Sequence, residues 1–484
     1  MPPADAKLEL DPRVGLASAM LVAAAFLLVP LGHGDLTEDA PMYAFVPLRS
    51  LASGEYVRLY RDWAGEMPYF NKPPLQFWLT SGVYALFGAN IATARLVSAL
   101  SWLACCGVLF AIVRPRLGTL AATVATALLP IQREVYKNML GCRLDGGMLL
   151  AFLVASLAAL KLAEDGRRLK WWLLGGAAIG LGATYRGPYA FAAIGALLAF
   201  LAWQSPRRLL DWKGLLVFAG ALAVCGGWWW ATQYALYGDQ FAEMLAKDSV
   251  GKHVARSKSL ADFLNPYYLQ RIPEAYWPVV PGLVAAVFVL RRDGLSPIAR
   301  LAIAWAAFTF VLIHVTPVRG GRYTLPMAPW LCVLATLGML GFARPREIAR
   351  RAMPWAGVAA LALVGGLTLA GVEFNRTQDA ALREAATTIR PAVGVDSVSG
   401  WPSDAPIVYM LADAKSLNLQ KACAVRFYTR AHTTEIAARQ LRHLERGNYL
   451  CVQVGGDRVE RAEAVLPLEL VAGDDRWRVY FIAD

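Results

Sequence analysis

Long apolar runs separated by short charged connections dominate the first three quarters of the chain. Each run approaches the roughly 20 residues that cross a bilayer as a helix. The runs lie at 14–32, 92–113, 117–131, 146–163, 171–185, 187–203, 214–235, 275–290, 298–316, 323–343 and 353–372. This pattern predicts an all-α polytopic membrane domain over residues 1–372, with about 11–13 transmembrane helices plus interfacial helices. The first run resembles a signal peptide in length, but its leader is long and carries acidic residues, so we expect a retained helix.

The pattern changes after residue 372, where short helical and extended signals alternate. Helical signals lie at 379–388 and 434–445, and extended signals at 407–411, 449–454 and 478–482. Elements of this length with a modest apolar content predict a small soluble α/β domain over residues 373–484. Cys423 and Cys451 both lie in this domain, and either a disulfide or two separate buried thiols fits the sequence.

The charge balance indicates topology rather than a nucleic-acid partner. The chain is 57% hydrophobic and 17% charged, with a net charge of +12. Basic residues are dense in the short connections at 114–116, 166–170, 206–208, 291–292 and 344–351. Because cytoplasmic connections favour Lys and Arg, we expect a cytoplasmic N-terminus in a bacterial inner membrane. The loops at 33–91 and 236–274 and the domain at 373–484 are then periplasmic.

Residues 73–88 are apolar enough to span the membrane, but a full crossing there would invert every later connection. We therefore predict an interfacial or re-entrant helix. An undetected partner span elsewhere is the alternative explanation.

The first outward loop holds the most distinctive polar residues. Glu38 and Asp39 follow the first apolar run, and Tyr69 and Lys72 precede a double proline that is well placed to start a helix. A carboxylate at the membrane surface suits a general base for an acceptor hydroxyl or amine, and a fixed lysine suits a lipid phosphate. The alternative interpretations are solvated surface carboxylates and a lysine that snorkels to the interface.

Later connections on the same side add four more candidates. Asp145 opens an apolar helix, where a simple capping role is the alternative. Arg186 interrupts two apolar runs, and an ionisable residue at membrane depth favours a function. Arg322 and Tyr323 follow paired glycines that let backbone approach an anion. The sequence has no P-loop, no GxGxxG after a strand and no Asp-x-Asp, so nothing indicates a nucleotide site.

Together these segments resemble the membrane glycosyltransferases of the GT-C class. The nearest types are the lipid A 4-amino-4-deoxy-L-arabinose transferases and the protein O-mannosyltransferases. The resemblance covers residues 14 to about 345, and the string from Tyr69 to Leu75 (Tyr-Phe-Asn-Lys-Pro-Pro-Leu) is its most specific part. The other matching pieces are the run from Asp39 to Ala44, Leu144-Asp145, Arg186-Gly187-Pro188 and Tyr323-Thr324-Leu325-Pro326.

The resemblance implies an inverting enzyme that moves a sugar from a polyprenyl-phosphate donor to lipid A, another glycan or a protein. It implies Asp39 as general base, Glu38 as its acidic partner and Asp145 as the holder of a cation. The donor phosphate would be bound by Tyr69, Lys72, Arg186, Arg322 and Tyr323.

Departures from the usual motifs concern the acidic pair and the metal. Ala40 replaces the second acid of the pair, Met42 replaces an arginine and Asn71 replaces a glutamate. Without that glutamate, a divalent metal is not implied with any strength, and we name no metal ligand. Two other function classes remain as alternatives: a transporter or lipid flippase, and a scaffold that binds a partner through residues 373–484.

Overall fold

The computed structural model describes residues 10–165, 168–246, 267–315, 319–370, 379–393, 407–411, 419–436, 438–454 and 457–483. The helices before the C-terminal domain are α1 (Pro12–Leu28), α2 (Ala40–Ser53), α3 (Leu75–Phe87), α4 (Ile91–Leu117), α5 (Thr119–Leu128), α6 (Arg133–Met139), α7 (Asp145–Asp165), α8 (Leu169–Arg186), α9 (Ala192–Gln204), α10 (Trp212–Leu222), α11 (Trp228–Tyr237), α12 (Asp239–Leu245), α13 (Tyr267–Ala275), α14 (Val280–Asp293), α15 (Pro297–Val315), α16 (Ala328–Leu340) and α17 (Ala343–Leu369). The predicted helical membrane domain is confirmed.

Six helical segments within the described residues are long and apolar enough to cross a membrane, or seven if the bent pair α13–α14 is one span. The six are Ile91–Leu117, Asp145–Glu164, Trp212–Tyr237, Pro297–Val315, Gly321–Leu340 and Ala343–Leu369. Shorter apolar helices lie at Pro12–Leu28, Thr119–Leu128 and Pro188–Gln204. Each predicted run overlaps helical structure within the described residues, but the number that crosses stays a prediction.

The segment predicted to lie at the interface forms α3, which starts directly after the double proline. At about 1.5 Å per residue its 13 residues reach about 20 Å, short of a bilayer core of roughly 30 Å. Ser81 and Tyr84 donate hydrogen bonds to the carbonyls of Pro47 and Ala44. These bonds fix α3 against α2, which favours the interfacial interpretation.

The interior of the helical bundle is built from large aromatic side chains and close glycine contacts. Trp102, Trp305 and Trp330 are almost fully buried. Gly338 lies so close to Gly282 that a Cβ atom would overlap the neighbouring backbone. Small residues at helix interfaces allow backbones to approach in this way within membranes, which gives the connecting loops a rigid support.

The C-terminal domain contains α18 (Ala380–Val393), α19 (Leu419–Thr429), α20 (Arg458–Glu463) and the strands β1 (Ile407–Leu411), β2 (His432–Ile436), β3 (Tyr449–Gln453), β4 (Leu468–Gly473) and β5 (Trp477–Ile482). The sheet order is β2-β1-β3-β5-β4. β1 pairs in parallel with β2 and β3, whereas β5 runs antiparallel to β3 and β4. The predicted α/β class is confirmed.

One expectation for this domain was wrong, and the structure decides between the two alternatives left open for Cys423 and Cys451. Residues 434–445 do not form one helix, because β2 extends to Ile436 and a 3-10 helix follows at Ala438–His443. The β-branched residues Thr433, Thr434 and Ile436 suit a strand. Cys423 and Cys451 do not form a disulfide, and both are fully buried in the apolar layer beneath the sheet.

Alternation along the strands assigns each face of the sheet to a different core. Val408, Met410 and Val479 point to the layer shared with α18 and α19, and this layer continues into Leu36 and α2 of the first loop. Tyr409, Leu450 and Tyr480 point to the opposite, smaller core. The C-terminal domain is thus packed on the loop that carries the acidic motif.

Candidate active site

The backbone ahead of α2 is set by a buried arginine. Arg95 has no exposed surface, and its guanidinium donates to the carbonyl oxygens of Leu31, His33 and Asp35 at 3.0, 2.6 and 2.8 Å. Glu38 follows with a φ of 56°, an uncommon left-handed conformation for this residue type. The turn aims consecutive carboxylates, Glu38 and Asp39, in different directions at the start of α2.

Asp39 precedes α2, and its side chain contacts arginines instead of capping that helix. Arg322 Nη1 donates to Asp39 Oδ2 at 2.8 Å, and Arg143 Nη1 lies 3.8 Å from the same oxygen. Burial alone would raise the pKa of Asp39, but the hydrogen bond from Arg322 and the charges of Arg322, Arg143 and Lys72 outweigh it and lower the pKa below the usual range. Asp39 is therefore an ionised carboxylate.

Glu38 faces a second pair of cations. Its carboxylate lies 2.5 Å from Arg143 Nη2 and 3.1 Å from Lys137 Nζ. Burial raises its pKa, but Arg143 and Lys137 together lower it to about 2. Arg143 is only 4% exposed and bridges both acids, although the sequence analysis did not select it. Its place directly before Leu144-Asp145 was the available signal.

The helices α7 and α8 bring the next two candidates together. Asp145, the first residue of α7, forms an ion pair with Arg186, the last residue of α8, and both side chains are almost fully buried. The Arg186 guanidinium also lies 5.3 Å from the ring of Tyr189. A buried ion pair of this kind fixes the position of both charges, because leaving either one unpaired is strongly unfavourable.

Tyr43 links the two groups of charges. It is 4% exposed, and its hydroxyl lies 3.5 Å from Asp39 Oδ2. Burial and then the charge of Asp39 raise its pKa, while Arg322, Arg186 and Arg143 act in the opposite direction. Tyr43 therefore stays a neutral hydrogen-bond donor within the electrostatic range of all four groups, a role that sequence reasoning missed.

Tyr69 is connected to Tyr43 through contacts between aromatic rings. Its ring centroid is 5.9 Å from that of Phe77, which lies 6.0 Å from Tyr43. Tyr69 is 2% exposed, and within the described part of the chain its buried hydroxyl has no hydrogen-bond partner. Burial, then Tyr43 and Asp39, raise its pKa far above the usual value. The orphaned hydroxyl is a donor available to a ligand.

Lys72 follows Tyr69 and is close enough to Asp39 to lower its pKa. The next residue, Pro73, packs on Gly187, whose φ of 86° is unfavourable for other residue types. An added Cβ at Gly187 would also contact Trp230. This contact positions the Lys72 segment beside the end of α8 that carries Arg186.

Arg322 and Tyr323 lie in a 3-10 helix, Gly321–Met327, ahead of α16. The ring of Tyr323 packs at 5.7 Å on Tyr189, whose hydroxyl donates to the Tyr323 carbonyl at 3.1 Å. Gly321 lies against the buried carboxylate of Glu134, where a Cβ would collide. Glycine is therefore required at position 321 because the Glu134 carboxylate leaves no room for a side chain.

Most of the selected residues lie in two groups, and Tyr69 and Lys72 lie within electrostatic range of Asp39. Asp39, Glu38 and Arg322 meet around Arg143, and Asp145 and Arg186 meet beside Tyr189 and Tyr323. No cluster of three or more His, Cys, Asp or Glu with metal-binding geometry occurs among the described residues. The arrangement can hold an anion against several cations while it presents one carboxylate to a second molecule.

A different acid, Asp35, joins the loop to the C-terminal domain. Its side chain is fully buried and accepts the Asp379 backbone N–H at 2.7 Å and the Tyr428 hydroxyl at 3.4 Å. It also pairs with Arg383 Nε at 3.2 Å. Nothing in the sequence distinguishes Asp35 from the acids that follow it.

Two solved structures of ArnT from Cupriavidus metallidurans share this architecture. The apo form matches with a TM-score of 0.72 and 18% identity, and the form bound to undecaprenyl phosphate with 0.71 and 17%. Each match covers 97% of both chains. The chain has the GT-C fold of ArnT. It is a multi-pass membrane protein.

Sequence comparisons agree with the resemblance found in the motifs. Residues 71–230 match the family described as dolichyl-phosphate-mannose-protein mannosyltransferase. An undecaprenyl phosphate-alpha-4-amino-4-deoxy-L-arabinose arabinosyl transferase of Shewanella sediminis is 27% identical over 64% of this chain. A protein of the same name from Pseudomonas savastanoi is 32% identical over 43% of it. The chain aligns with 57% of the length of the Shewanella relative.

Proposed function

We propose that the protein is an inverting glycosyltransferase that moves a sugar from a polyprenyl-phosphate donor to an acceptor at the outer face of the bacterial inner membrane. The observation that carries the proposal is the hydrogen bond from Arg322 to Asp39 within a frame of further cations. A phosphate leaving group requires cations, and an attacking hydroxyl requires a base. Both requirements are met in one place.

The donor phosphate would be held by Lys72, Arg186 and Arg322, with the orphaned Tyr69 hydroxyl as a further donor and Tyr323 orienting the lipid-linked sugar. These cations stabilise the negative charge that develops as the bond from the anomeric carbon to the phosphate oxygen breaks. Stabilisation of developing charge by preorganised donors is commonly the largest catalytic contribution. Asp145 keeps Arg186 in place.

Asp39 would accept the proton of the acceptor hydroxyl while that oxygen forms the new bond to the anomeric carbon. Attack from the face opposite the phosphate inverts the anomeric configuration. Glu38 acts indirectly, because it holds Arg143, whose guanidinium also approaches Asp39. We infer that the proton acceptor is Asp39, because Asp39 lies beside Arg322, Tyr43 and Lys72, whereas Glu38 faces Lys137 and Arg143.

The printed names of the relatives support the choice of substrates. They name undecaprenyl phosphate-linked 4-amino-4-deoxy-L-arabinose, and one matching structure contains undecaprenyl phosphate. We propose an aminopentose or similar sugar on undecaprenyl phosphate as the donor and lipid A or another glycolipid as the acceptor. Protein or polysaccharide acceptors are the alternative within the same chemistry. The N-terminus would then be cytoplasmic and residues 373–484 periplasmic.

The test is transfer in proteoliposomes that contain the full chain, an undecaprenyl-phosphate sugar and lipid A. We expect a product whose mass increases by one sugar residue, and no product when a nucleotide sugar replaces the lipid-linked donor. Movement of the donor across the bilayer without transfer would contradict the proposal and support a flippase.

A further inference from the structure

A pocket separate from the candidate active site lies where the C-terminal domain meets the start of α4. Its volume is about 520 Å³, and its walls include Gly32 and Ile91 from the membrane domain and Arg383, Arg390 and Phe427 from the C-terminal domain. We propose that this junction pocket binds the phosphate headgroup of an anionic membrane lipid. The proposal goes beyond sugar transfer and does not depend on it.

Positive charge is concentrated around the pocket. Arg383 and Arg390 form part of the wall, and Arg430 lies close behind it, with its guanidinium 5.0 Å from the ring of Phe427. Burial, and then the charge of Arg390, lower the pKa of Arg430 to about 10. Arg430 Nη2 donates to the Ala89 carbonyl, but Nη1 is buried without a partner among the described residues. Cations crowded in this way favour an anion nearby.

The first residues of α4 form another part of the pocket wall. In any α-helix the first four N–H groups have no partner within the helix. Asn90 caps the N–H of Thr93 through its side chain at 3.0 Å, and Ala94 donates to the Asn90 carbonyl. The next residues that line the pocket are Ile91 and Ala92. The helix N-terminus therefore adds a favourable electrostatic environment for phosphate to that of the arginines.

The surroundings of the pocket point to a lipid rather than a soluble anion. Leu86 and Phe87, which end α3 shortly before the pocket-lining Asn90 in the sequence, are 77% and 65% exposed. Leu100, further along α4, is 51% exposed. Because α4 is long and apolar enough to span the membrane, we infer that the exposed side of this helix would face acyl chains. A headgroup in the pocket would have its tails along that side.

Arg383 and Arg390 also interact with other protein groups. These interactions hold the two side chains in place at the pocket wall without a ligand. Arg383 pairs with Asp35, and Arg390 Nε donates to the Tyr428 carbonyl at 2.8 Å. A phosphate bound between them would touch both the C-terminal domain and the turn at Gly32. Lipid binding is therefore expected to stabilise the junction between the two parts of the chain, as any ligand specific for the folded state does.

The test is native mass spectrometry of the full chain in detergent, titrated with phosphatidylglycerol. We expect one retained lipid, with binding at least tenfold weaker in the double variant R383Q/R390Q. The control is R461Q, which removes one positive charge at an exposed arginine on α20 and should bind like the native chain. R383K/R390K, which keeps both positive charges, should keep most of the binding. That result would show that the loss in R383Q/R390Q follows from the loss of charge.

Thermal unfolding with and without lipid separates binding from folding. We expect phosphatidylglycerol to raise the Tm of the native chain, R461Q and K72Q, but not that of R383Q/R390Q. Equal binding by R383Q/R390Q and the native chain would overturn the proposal, as would loss of binding in R461Q. Protection by inorganic phosphate but not by phosphatidylglycerol would identify a site for a free anion and overturn the lipid assignment.

Discussion

Asp35 and Asp39 lie four residues apart in the same loop, yet their surroundings differ completely. Asp35 has no exposed surface, and its partners include backbone and side-chain donors of the C-terminal domain. Asp39 is 19% exposed, and its arginine partners come from the membrane domain. The comparison separates two uses of a carboxylate: the buried Asp35 holds two parts of the chain together, whereas the partly exposed Asp39 remains accessible beside several cations.

The arginines around Asp35 and Asp39 also differ in what they contact. Arg95 and Arg383 serve the Asp35 side, where Arg95 orders backbone carbonyls and Arg383 crosses the junction. Arg143 and Arg322 serve the Asp39 side, where both guanidiniums approach one oxygen atom. The first set explains how the loop is held, and the second explains why Asp39 stays ionised.

The largest expected effect is that of Asp39→Asn on sugar transfer. The amide cannot accept the acceptor proton, and general-base catalysis typically contributes about 10²–10⁴ in rate. We expect the initial rate at saturating donor and acceptor to fall by that factor, with a Tm close to native. Asp62→Asn is the control, because it makes the same change at a buried carboxylate outside the candidate site, and it should lose far less activity.

Asp35→Asn should affect stability instead. The amide keeps one acceptor but places an N–H₂ group toward the donors, so we expect a loss of about 2–3 kcal/mol in the free energy of unfolding. Limited proteolysis should cut the junction faster. Asp62→Asn is the matched control, because Asp62 is also buried in this loop but accepts backbone N–H groups of Glu66 and Met67. Faster junction cleavage in Asp62→Asn than in Asp35→Asn would contradict this assignment.

Arg322→Gln should shift the pH dependence of transfer. Burial raises the pKa of Asp39, and Arg322 is foremost among the groups that lower it. Without Arg322 the pKa rises, so the acid limb of kcat/KM should move to higher pH, since the carboxylate is the active form. A pH–rate profile measures the shift, and an unchanged acid limb would rule out Asp39 as the titrating base.

The smallest effect is expected for Lys137→Gln. Lys137 and Glu38 are 56% and 51% exposed, and exposed ion pairs contribute roughly 0–1 kcal/mol. The buried Arg143 still holds Glu38. We expect less than about a twofold change in rate and no measurable change in Tm. A large loss of activity would mean that Lys137 contacts substrate.

Much of this organisation could be predicted from the sequence because apolar periodicity is local information. The helical domain and most strands of the C-terminal domain follow from runs and alternation, whereas residues 434–445 mix β-branched and helix-forming residues and were misassigned. The candidate residues stand out as charges where charges are costly. Their pairing depends on contacts between residues that are far apart in the sequence, such as the contact of Asp39 with Arg322. The positions of Arg143 and Tyr43 beside Asp39 are likewise visible only in the folded chain.

Asp35 shows most clearly which roles cannot be predicted from the sequence. Nothing in the sequence around it separates it from Glu38 and Asp39, since all three follow the same apolar run. Its assignment requires the position of Arg383 and Tyr428, which the chain reaches only in the C-terminal domain.

The most direct test of this account is to measure, on the same purified preparations, the transfer rate and the unfolding temperature of Asp39→Asn and Asp35→Asn beside the native chain. We predict opposite outcomes: Asp39→Asn keeps the native Tm and loses at least about 10² in rate, whereas Asp35→Asn loses Tm and keeps most of its rate below the unfolding transition. Full transfer by a folded Asp39→Asn chain would contradict the assignment of the base.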